Sequence, residues 1–286
     1  MASHSKVLIT GINGFTGVHL RRLLSDDGFE CVGLDCDLRN REAVFFQVSK
    51  LNPDYVVHLA GVSFTAETDS NLIYSINVIG SLNLLDALNQ LPSCPKKVVL
   101  ASSATVYGNI QDRKLDETFC PKPLSHYGCS KLSMEHMAQN YTDSLPLIIT
   151  RPFNYTGPNH SERFVIPKLL SAYKKNLSVV ELGNLDVSRE FNDVRDVSNI
   201  YYLLLMSSFA SDVVNICSGK SVSLATIISL LDEISGRTLS VKTNPMFSRS
   251  NEVKDLSGDP RKLMSMVDYS FRYQIEDTLR WMYDVW

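Results

Sequence analysis

Short apolar runs separated by amphipathic stretches fill the first half of the chain, the rhythm of strand, helix, strand in a parallel sheet. KVLIT (6 to 10), ECVGL (30 to 34), YVVHLA (55 to 60) and KVVLAS (97 to 102) read as strands, and LPLIITRP (145 to 152) as a fifth. The fifth follows a long helix that begins near SHYGCSK (125 to 131) and carries Met134, Met137, Ala138 and Tyr141 at helical spacing. In the less regular second half, VVNIC (213 to 217) reads as a strand. SLATIISLLDEISG (223 to 236) reads as a helix with Leu224, Ile227, Ile228 and Leu231 on one face and a stop at Gly236. No internal repeat, low-complexity tract or clear linker divides the chain. The pattern predicts an α/β fold with a doubly wound parallel sheet over residues 1–154. A smaller α/β region over 155–286, parts of which can cross back into the sheet, packs against it across a cleft.

At 286 residues, 44% of them hydrophobic and 21% charged, the chain has the balance of an ordinary globular protein of one large or two ordinary domains. A formal net charge of -3, with basic pairs such as Lys96-Lys97 and Lys174-Lys175 scattered, gives no footprint for nucleic acid. The opening MASHSKVLIT lacks a signal-like apolar run, and no later run approaches the ~18 apolar residues of a membrane span, so a cytoplasmic protein without membrane contact is expected. The six cysteines form no CxxC pair and no metal-ligand spacing with the histidines, and read as small apolar fillers of a reducing compartment, with neither disulfide nor metal expected.

After the first strand comes TGINGFTG, with Gly11, Gly14 and Gly17, then an amphipathic helix with Leu20, Leu23 and Leu24 on one face. Glycines at such a turn let the backbone approach a pyrophosphate, and the helix N-terminus offers N–H groups to its charge. This is the Rossmann arrangement for a dinucleotide. Asp35, closing the second strand ~20 residues on, is placed to hold ribose hydroxyls, which favours NAD(H) over NADP(H). In LDCDLRNREAV the chain passes directly to Asp37, Leu38 and a new helix, leaving no room for a separate helix and third strand, so the sheet is expected to be shortened or merged there. Arg39 and Arg41 could then reach a 2′-phosphate, and the cofactor stays open between the two.

In SHYGCSK, Tyr127 stands four positions before Lys131. That spacing alone fits a solvated helix face as well as an acid/base pair.

With TGINGFTG, the segments HLAG (58 to 61), NVIGSLNLLDA (77 to 87), SSATVYG (102 to 108) and YGCSKLSME (127 to 135) occur in an order that resembles the extended short-chain dehydrogenase/reductases, the nucleotide-sugar epimerase/dehydratase group. The resemblance covers essentially the whole chain. Within the group, RPFNYTGP (151 to 158), RFVIPKLL (163 to 170), GNLDVSREFNDVRDV (183 to 197), VVNICSGKSVSL (213 to 224) and EVKDLSGDPRKL (252 to 263) are most similar to reductases of GDP-4-keto-6-deoxy-D-mannose, which make GDP-D-rhamnose. The missing third-strand segment is closer to dTDP-4-keto-rhamnose reductases and leaves the base open.

The resemblance implies that Tyr127 is the general acid/base and that Lys131 lowers its pKa, ordinarily near ~10, while holding the nicotinamide ribose. Ser103 hydrogen-bonds the substrate carbonyl; taken alone it reads as a turn or cap residue. The cofactor would be held by Gly11, Asn13, Gly14, Phe15, Thr16, Gly17, Asp35, Asp37, Leu38, Leu59, Ala60, Gly61 and Asn77, with Tyr127 and Lys131. A nucleotide sugar would be held by Ser103, Asn154, Val165, Lys168, Arg189 at the diphosphate and Glu252 at a ribose; the alternative for Arg189 is a surface ion pair with Asp193 or Asp196. Those two aspartates are expected to order the next helix start, and His58, His126 and His136 to be structural. Tyr155 and Phe164 could line the sugar or base pocket or belong to the core. Dehydratases of the group carry acidic residues directly after the Ser/Thr, and the GDP-fucose epimerase-reductase carries a Cys; Ala104 and Thr105 match neither. What survives is hydride transfer from NAD(P)H to C4 of a 4-keto-6-deoxy sugar nucleotide with GDP, dTDP or CDP, or a UDP-hexose 4-epimerase. A non-catalytic NAD(P)-binding member is the third possibility. The resemblance also implies a homodimer through a four-helix bundle formed by segments 71–91 and 126–143.

Overall fold

The computed structural model describes residues 5–63, 69–110, 114–244 and 254–286. In chain order the elements are β1 (Lys6–Thr10), α1 (Phe15–Asp26), β2 (Glu30–Val32), α2 (Arg41–Leu51), β3 (Tyr55–His58), α3 (Ser70–Tyr74), α4 (Ser81–Asn89), β4 (Lys97–Ala101), α5 (His126–Ala138) and β5 (Leu147–Pro152). There follow β6 (Tyr155–Thr156), α6 (Val165–Lys174), β7 (Val179–Leu182), β8 (Ser188–Arg189), β9 (Asn192–Asp193), α7 (Val194–Met206), β10 (Asp212–Ile216), β11 (Val222–Ser223), α8 (Leu224–Ser235), β12 (Ser240–Thr243), β13 (Asp255–Leu256), α9 (Arg261–Met266) and α10 (Ile275–Val285).

The main sheet has six parallel strands in the order β10-β5-β4-β3-β1-β2. Alternate residues leave opposite faces. Val7, Ile9, Val57, Val99, Ile148 and Val214 join α1 and α7 in one core, while Leu8, Val56, Val98, Leu100 and Leu147 join α2, α4 and α5 in another. Burial on both faces is why these strands read as continuous apolar runs. The sheet stops at β2, which pairs for only three residues, so the shortened edge expected from LDCDLRN is present. The run ECVGL is a strand only to Val32: at Gly33 a β-carbon would lie 2.7 Å from the Ile12 side chain, where the chain bends past the glycine loop.

Helix limits follow local chemistry. Asn40, Ser125, Asp193 and Ser223 each cap the helix after them through a side-chain oxygen that accepts a backbone N–H. Asp196 differs from the expectation: its carboxylate accepts from Tyr269 Oη at 2.6 Å and from the N–H groups of Arg272 and Tyr273, so it anchors the C-terminal segment rather than starting α7. A third core joins α6, α8, α10 and β7 in the second half. The cysteines depart from their apolar-filler reading, since only Cys217 is buried and Cys94 and Cys120 are exposed.

One buried relay joins β1, β3 and α4. The Ser81 hydroxyl donates to Asn77 O at 2.8 Å, so it must accept from His58 Nε2 at 2.7 Å. His58 Nδ1 is then the acceptor for Thr10 Oγ1 at 2.6 Å, which in turn accepts the Ala60 N–H at 3.2 Å. Burial lowers the His58 pKa to about 3, so the ring is neutral and its role structural. No described helix is long and apolar enough to cross a membrane. Among the described residues no cluster of three or more His, Cys, Asp or Glu could hold a metal ion.

Gly236 ends α8 at φ +67°, and a β-carbon there would meet nothing within 4 Å, so its identity matters only through backbone conformation. Gly236→Ala is expected to lower unfolding free energy by about 1 kcal/mol in urea titration without altering activity.

Candidate active site

The glycine loop lies at the C-terminal end of β1, between β2 and β3, the point where an open parallel sheet changes winding direction. Gly11 has φ +72°, and a β-carbon there would meet Ala60 N at 3.0 Å. At Gly17 a β-carbon would lie 2.2 Å from Gly11 O and 2.7 Å from Ile12 O, so α1 can start over the strand end only without a side chain. Gly14 is the N-cap of α1 and has no side chain to consume the first-turn N–H groups. These groups and the bare backbone fit a dinucleotide pyrophosphate. Asn13 is exposed; Phe15 stacks on His160 with ring centroids 4.2 Å apart, and Thr16 Oγ1 is 2.7 Å from Tyr155 Oη. The loop is thereby fastened to the second half, and Tyr155 has a defined partner there. Phe164 continues the same stack against His160, at 4.2 Å.

At the end of β2, Asp35 and Asp37 are exposed. Arg39 grips the Asp37 carboxylate through Nε and Nη2, which pulls the Asp37 pKa down to about 2. Arg41 instead pairs with Asp86 and covers the Phe45 ring. Leu38 turns its side chain into the core and its carbonyl accepts from Asn83. Leu59, Ala60 and Gly61 run on from β3, held to β1 by Leu59 N to Thr10 O at 3.2 Å and by the Thr10 hydroxyl. Asn77, in a π-helical turn between α3 and α4, accepts the Val62 N–H at 2.8 Å and donates to Val62 O and Ser130 Oγ. A β-carbon at Gly61 would meet Asn77 Oδ1 at 2.8 Å and Lys131 Nζ at 3.4 Å. This packing carries the chain of contacts from the glycine loop to α5.

Tyr127, Lys131 and Glu135 lie on the buried face of α5, four residues apart. Lys131 Nζ donates to Ala101 O at 2.8 Å, and burial lowers its pKa to about 8. Burial raises the Tyr127 pKa to about 12, opposed more weakly by the neighbouring Ser103 hydroxyl. The phenol is therefore protonated at neutral pH. Ser103 also caps the short turn Ala104–Tyr107, as its residue type alone would suggest; its Oγ accepts Thr105 N at 3.2 Å and Thr105 Oγ1 at 2.9 Å. With those acceptor sites taken, the Ser103 hydroxyl keeps its hydrogen for donation to another group. The structure thus brings Ser103, Tyr127, Lys131 and the glycine loop into one continuous site.

The second-half candidates are placed on separate elements. Asn154 is exposed just after β5, and Val165 opens α6. Lys168, one turn on, donates to Glu181 O at 2.8 Å. Arg189 in β8 donates to Ser188 O at 2.7 Å and Lys254 O at 3.3 Å. Asp193 pairs with Arg195 rather than Arg189. Glu252 lies outside the described residues. Sequence reasoning missed Thr105 and the buried group Ser102, Tyr107, Glu135 and Arg151; the available signals were Glu135 one turn beyond Lys131 and an arginine inside the apolar strand LIITRP.

A nucleotide-binding parallel sheet with Ser, Tyr and Lys gathered at its strand ends defines an enzyme of the extended short-chain dehydrogenase/reductase class. The chain belongs to the GDP-mannose 4,6 dehydratase family, whose model matches residues 34–282. It is 35% identical to the GDP-6-deoxy-D-talose 4-dehydrogenase of Aggregatibacter actinomycetemcomitans, over 94% of this chain and 93% of that one. It is 30% identical to the GDP-6-deoxy-D-mannose reductase of Pseudomonas aeruginosa, over 98% and 97%. Among solved structures, RMD from Pseudomonas aeruginosa complexed with NADPH superposes with TM-score 0.88 at 29% identity, covering 98% of this chain and 97% of that one. The UDP-glucose 4-epimerase of Thermus thermophilus in complex with NAD gives TM-score 0.88 at 25% identity, with 98% of both covered.

Gly17→Ala forces the loop apart without touching either sheet core. Fluorescence titration with NADH and NADPH is expected to show binding weakened at least about 100-fold, with the far-UV dichroism retained.

Proposed function

We propose that this protein is an NAD(P)H-dependent reductase of a nucleotide-linked 4-keto-6-deoxyhexose, the GDP-linked sugar above all. The observation that carries the reading is the buried Tyr127 beside Ser103, with Lys131 one turn away on the same helix face, next to a loop shaped for a dinucleotide. The names of the two GDP-sugar relatives support the substrate class. Although the family is named for a dehydratase, Ala104 and Thr105 supply no acid after Ser103 with which to eliminate water.

In this reading Gly11, Asn13, Gly14, Phe15, Thr16 and Gly17 hold the pyrophosphate, Asp35, Asp37 and Leu38 the adenosine end, and Leu59, Ala60, Gly61 and Asn77 the span towards the nicotinamide. When bound, the reduced nicotinamide supplies the hydride for C4. Ser103 orients the C4 carbonyl through its hydroxyl hydrogen. Tyr127, held protonated by burial, donates the proton to the carbonyl oxygen, and the Lys131 ammonium stabilises the phenolate left behind. Lys131 also holds the nicotinamide ribose. Residues 155–286 supply the sugar-nucleotide side, with Arg189 at the diphosphate and Asn154, Val165, Lys168 and Glu252 around it. With Arg39 engaged by Asp37 and Arg41 by Asp86, the exposed Asp35 carboxylate at the end of β2 favours ribose hydroxyls over a 2′-phosphate, and hence NAD(H).

GDP-D-rhamnose is the product we favour; the likeness to a GDP-6-deoxy-D-talose 4-dehydrogenase makes the opposite C4 configuration the second candidate. A UDP-hexose 4-epimerase is the reading suggested by the Thermus structure. The protein acts in the cytoplasm as a homodimer through segments 71–91 and 126–143, where Ile79 is exposed on the outer surface.

GDP-, dTDP-, CDP- and UDP-4-keto-6-deoxy sugars, each with NADH and NADPH, are expected to show fastest coenzyme oxidation with the GDP sugar and NADH, and NMR of the product gives its C4 configuration. Interconversion of UDP-hexoses with no net coenzyme oxidation would replace this reading with the epimerase. Tyr127→Phe should lower kcat by about 10²- to 10⁴-fold. Light scattering should give twice the chain mass, and a monomer at all concentrations would refute the dimer.

A further inference from the structure

We propose that the buried Glu135–Arg151 ion pair, with the hydroxyls of Ser102 and Tyr107, is a positioning device that fixes Ser103 relative to Tyr127. The inference rests on the reading of Ser103 and Tyr127 as the carbonyl-binding and proton-donating groups. None of the four residues belongs to that machinery.

The pair joins α5 to β5 with almost no water access, the side chains of Arg151 and Glu135 being 7% and 3% exposed. Arg151 Nη2 donates to Glu135 Oε2 at 2.6 Å and Nε to Oε1 at 3.0 Å, a forked contact that fixes direction as well as distance. Ser103 is bracketed by this pair on both sides. Its N-terminal neighbour Ser102 donates its hydroxyl to Glu135 Oε1, and its own N–H to Thr150 O at 2.8 Å. On the C-terminal side, the turn that Ser103 caps ends at Tyr107, whose hydroxyl accepts from Arg151 Nη1 at 3.1 Å and donates to Asn215 Oδ1 at 2.8 Å. The Arg151 guanidinium also lies over the Tyr107 ring, 4.9 Å from its centroid. Asn215 closes the network by donating to Leu115 O at 2.9 Å.

Glu135 stands eight residues after Tyr127 on the same buried face of α5. A single ion pair therefore ties both ends of the Ser103 segment to the helix that carries Tyr127. Apolar residues of similar volume would fill this space with equal or better stability, because burying two charges is costly. What they would lack is directional bonding. A proton donor and a carbonyl-binding hydroxyl need their separation held within a fraction of an ångström, which a forked, fully bonded pair provides and apolar packing does not.

The test compares wild type, Ser102→Ala, Tyr107→Phe, the double variant Glu135→Leu with Arg151→Met, and Tyr127→Phe, using GDP-4-keto-6-deoxy-D-mannose and NADH. Ser102→Ala and Tyr107→Phe each remove one hydroxyl and leave the ion pair, and the double variant leaves no unpaired charge, so folding is preserved and checked by thermal melting. The expected result is kcat lowered about 10- to 100-fold, with KM for the sugar nucleotide and the NADH dissociation constant within about twofold of wild type. Wild-type kcat in the single and double variants, whatever their melting temperatures, would overturn the positioning role. Turnover lost only in Tyr127→Phe overturns that role alone, whereas turnover kept in Tyr127→Phe overturns the catalytic reading and the positioning role with it.

Discussion

At Gly17 a β-carbon would lie 2.2 Å from the Gly11 carbonyl oxygen, so α1 can begin directly above the end of β1 only because that position has no side chain. The close approach sets where the helix N-terminus lies, and with it where a pyrophosphate can be received. It also sets the height of the segment after β3, since Gly11 is against Ala60, and Gly61 is against Asn77 and Lys131. From there the contacts reach Tyr127 and Ser103. The position of Lys131 is thus referenced to the glycine loop through backbone contacts at Gly11 and Gly17 and the buried side chain of Asn77 beside Gly61.

Electrostatics within the site follow from burial. Tyr127 and Lys131 are both withdrawn from water, and withdrawal opposes charge on each: the phenol is pushed up to about 12 and the ammonium down to about 8. The pair is in its proton-donating form at neutral pH. That state suits protonation of a carbonyl oxygen as hydride arrives. Oxidation would require the phenolate, and the same pair would then depend on a nearby positive charge to hold it.

The apolar periodicity and the spacing of glycines made the sheet, its helices and the nucleotide loop legible, because each is specified by neighbours in sequence. SLATIISLLDEISG carries its own cap, apolar face and stop, and forms α8 from Leu224 to Ser235. The short edge at β2 was equally legible, since a chain with no spare residues cannot build another strand. By contrast, the part played by Asp196 was misread: its partners Tyr269, Arg272 and Tyr273 come from a segment more than seventy residues away. The exposed pairs Arg39–Asp37 and Arg41–Asp86 were likewise not read from the sequence.

The sequence by itself determined the doubly wound sheet and the glycine cradle, since strand alternation and turn chemistry are local rules; Ser103, Tyr127 and Lys131 were singled out as a group only through the resemblance to the short-chain dehydrogenase/reductases. The tertiary structure alone decided that Ser103 Oγ is backed by Thr105 and lies beside the Tyr127 phenol, that His58 is a neutral relay, and that Arg151 in β5 meets Glu135 in α5. Those facts depend on which buried polar groups meet once the layers close. In a dry interior each must find a partner, and the partner is chosen by packing between elements far apart in the chain.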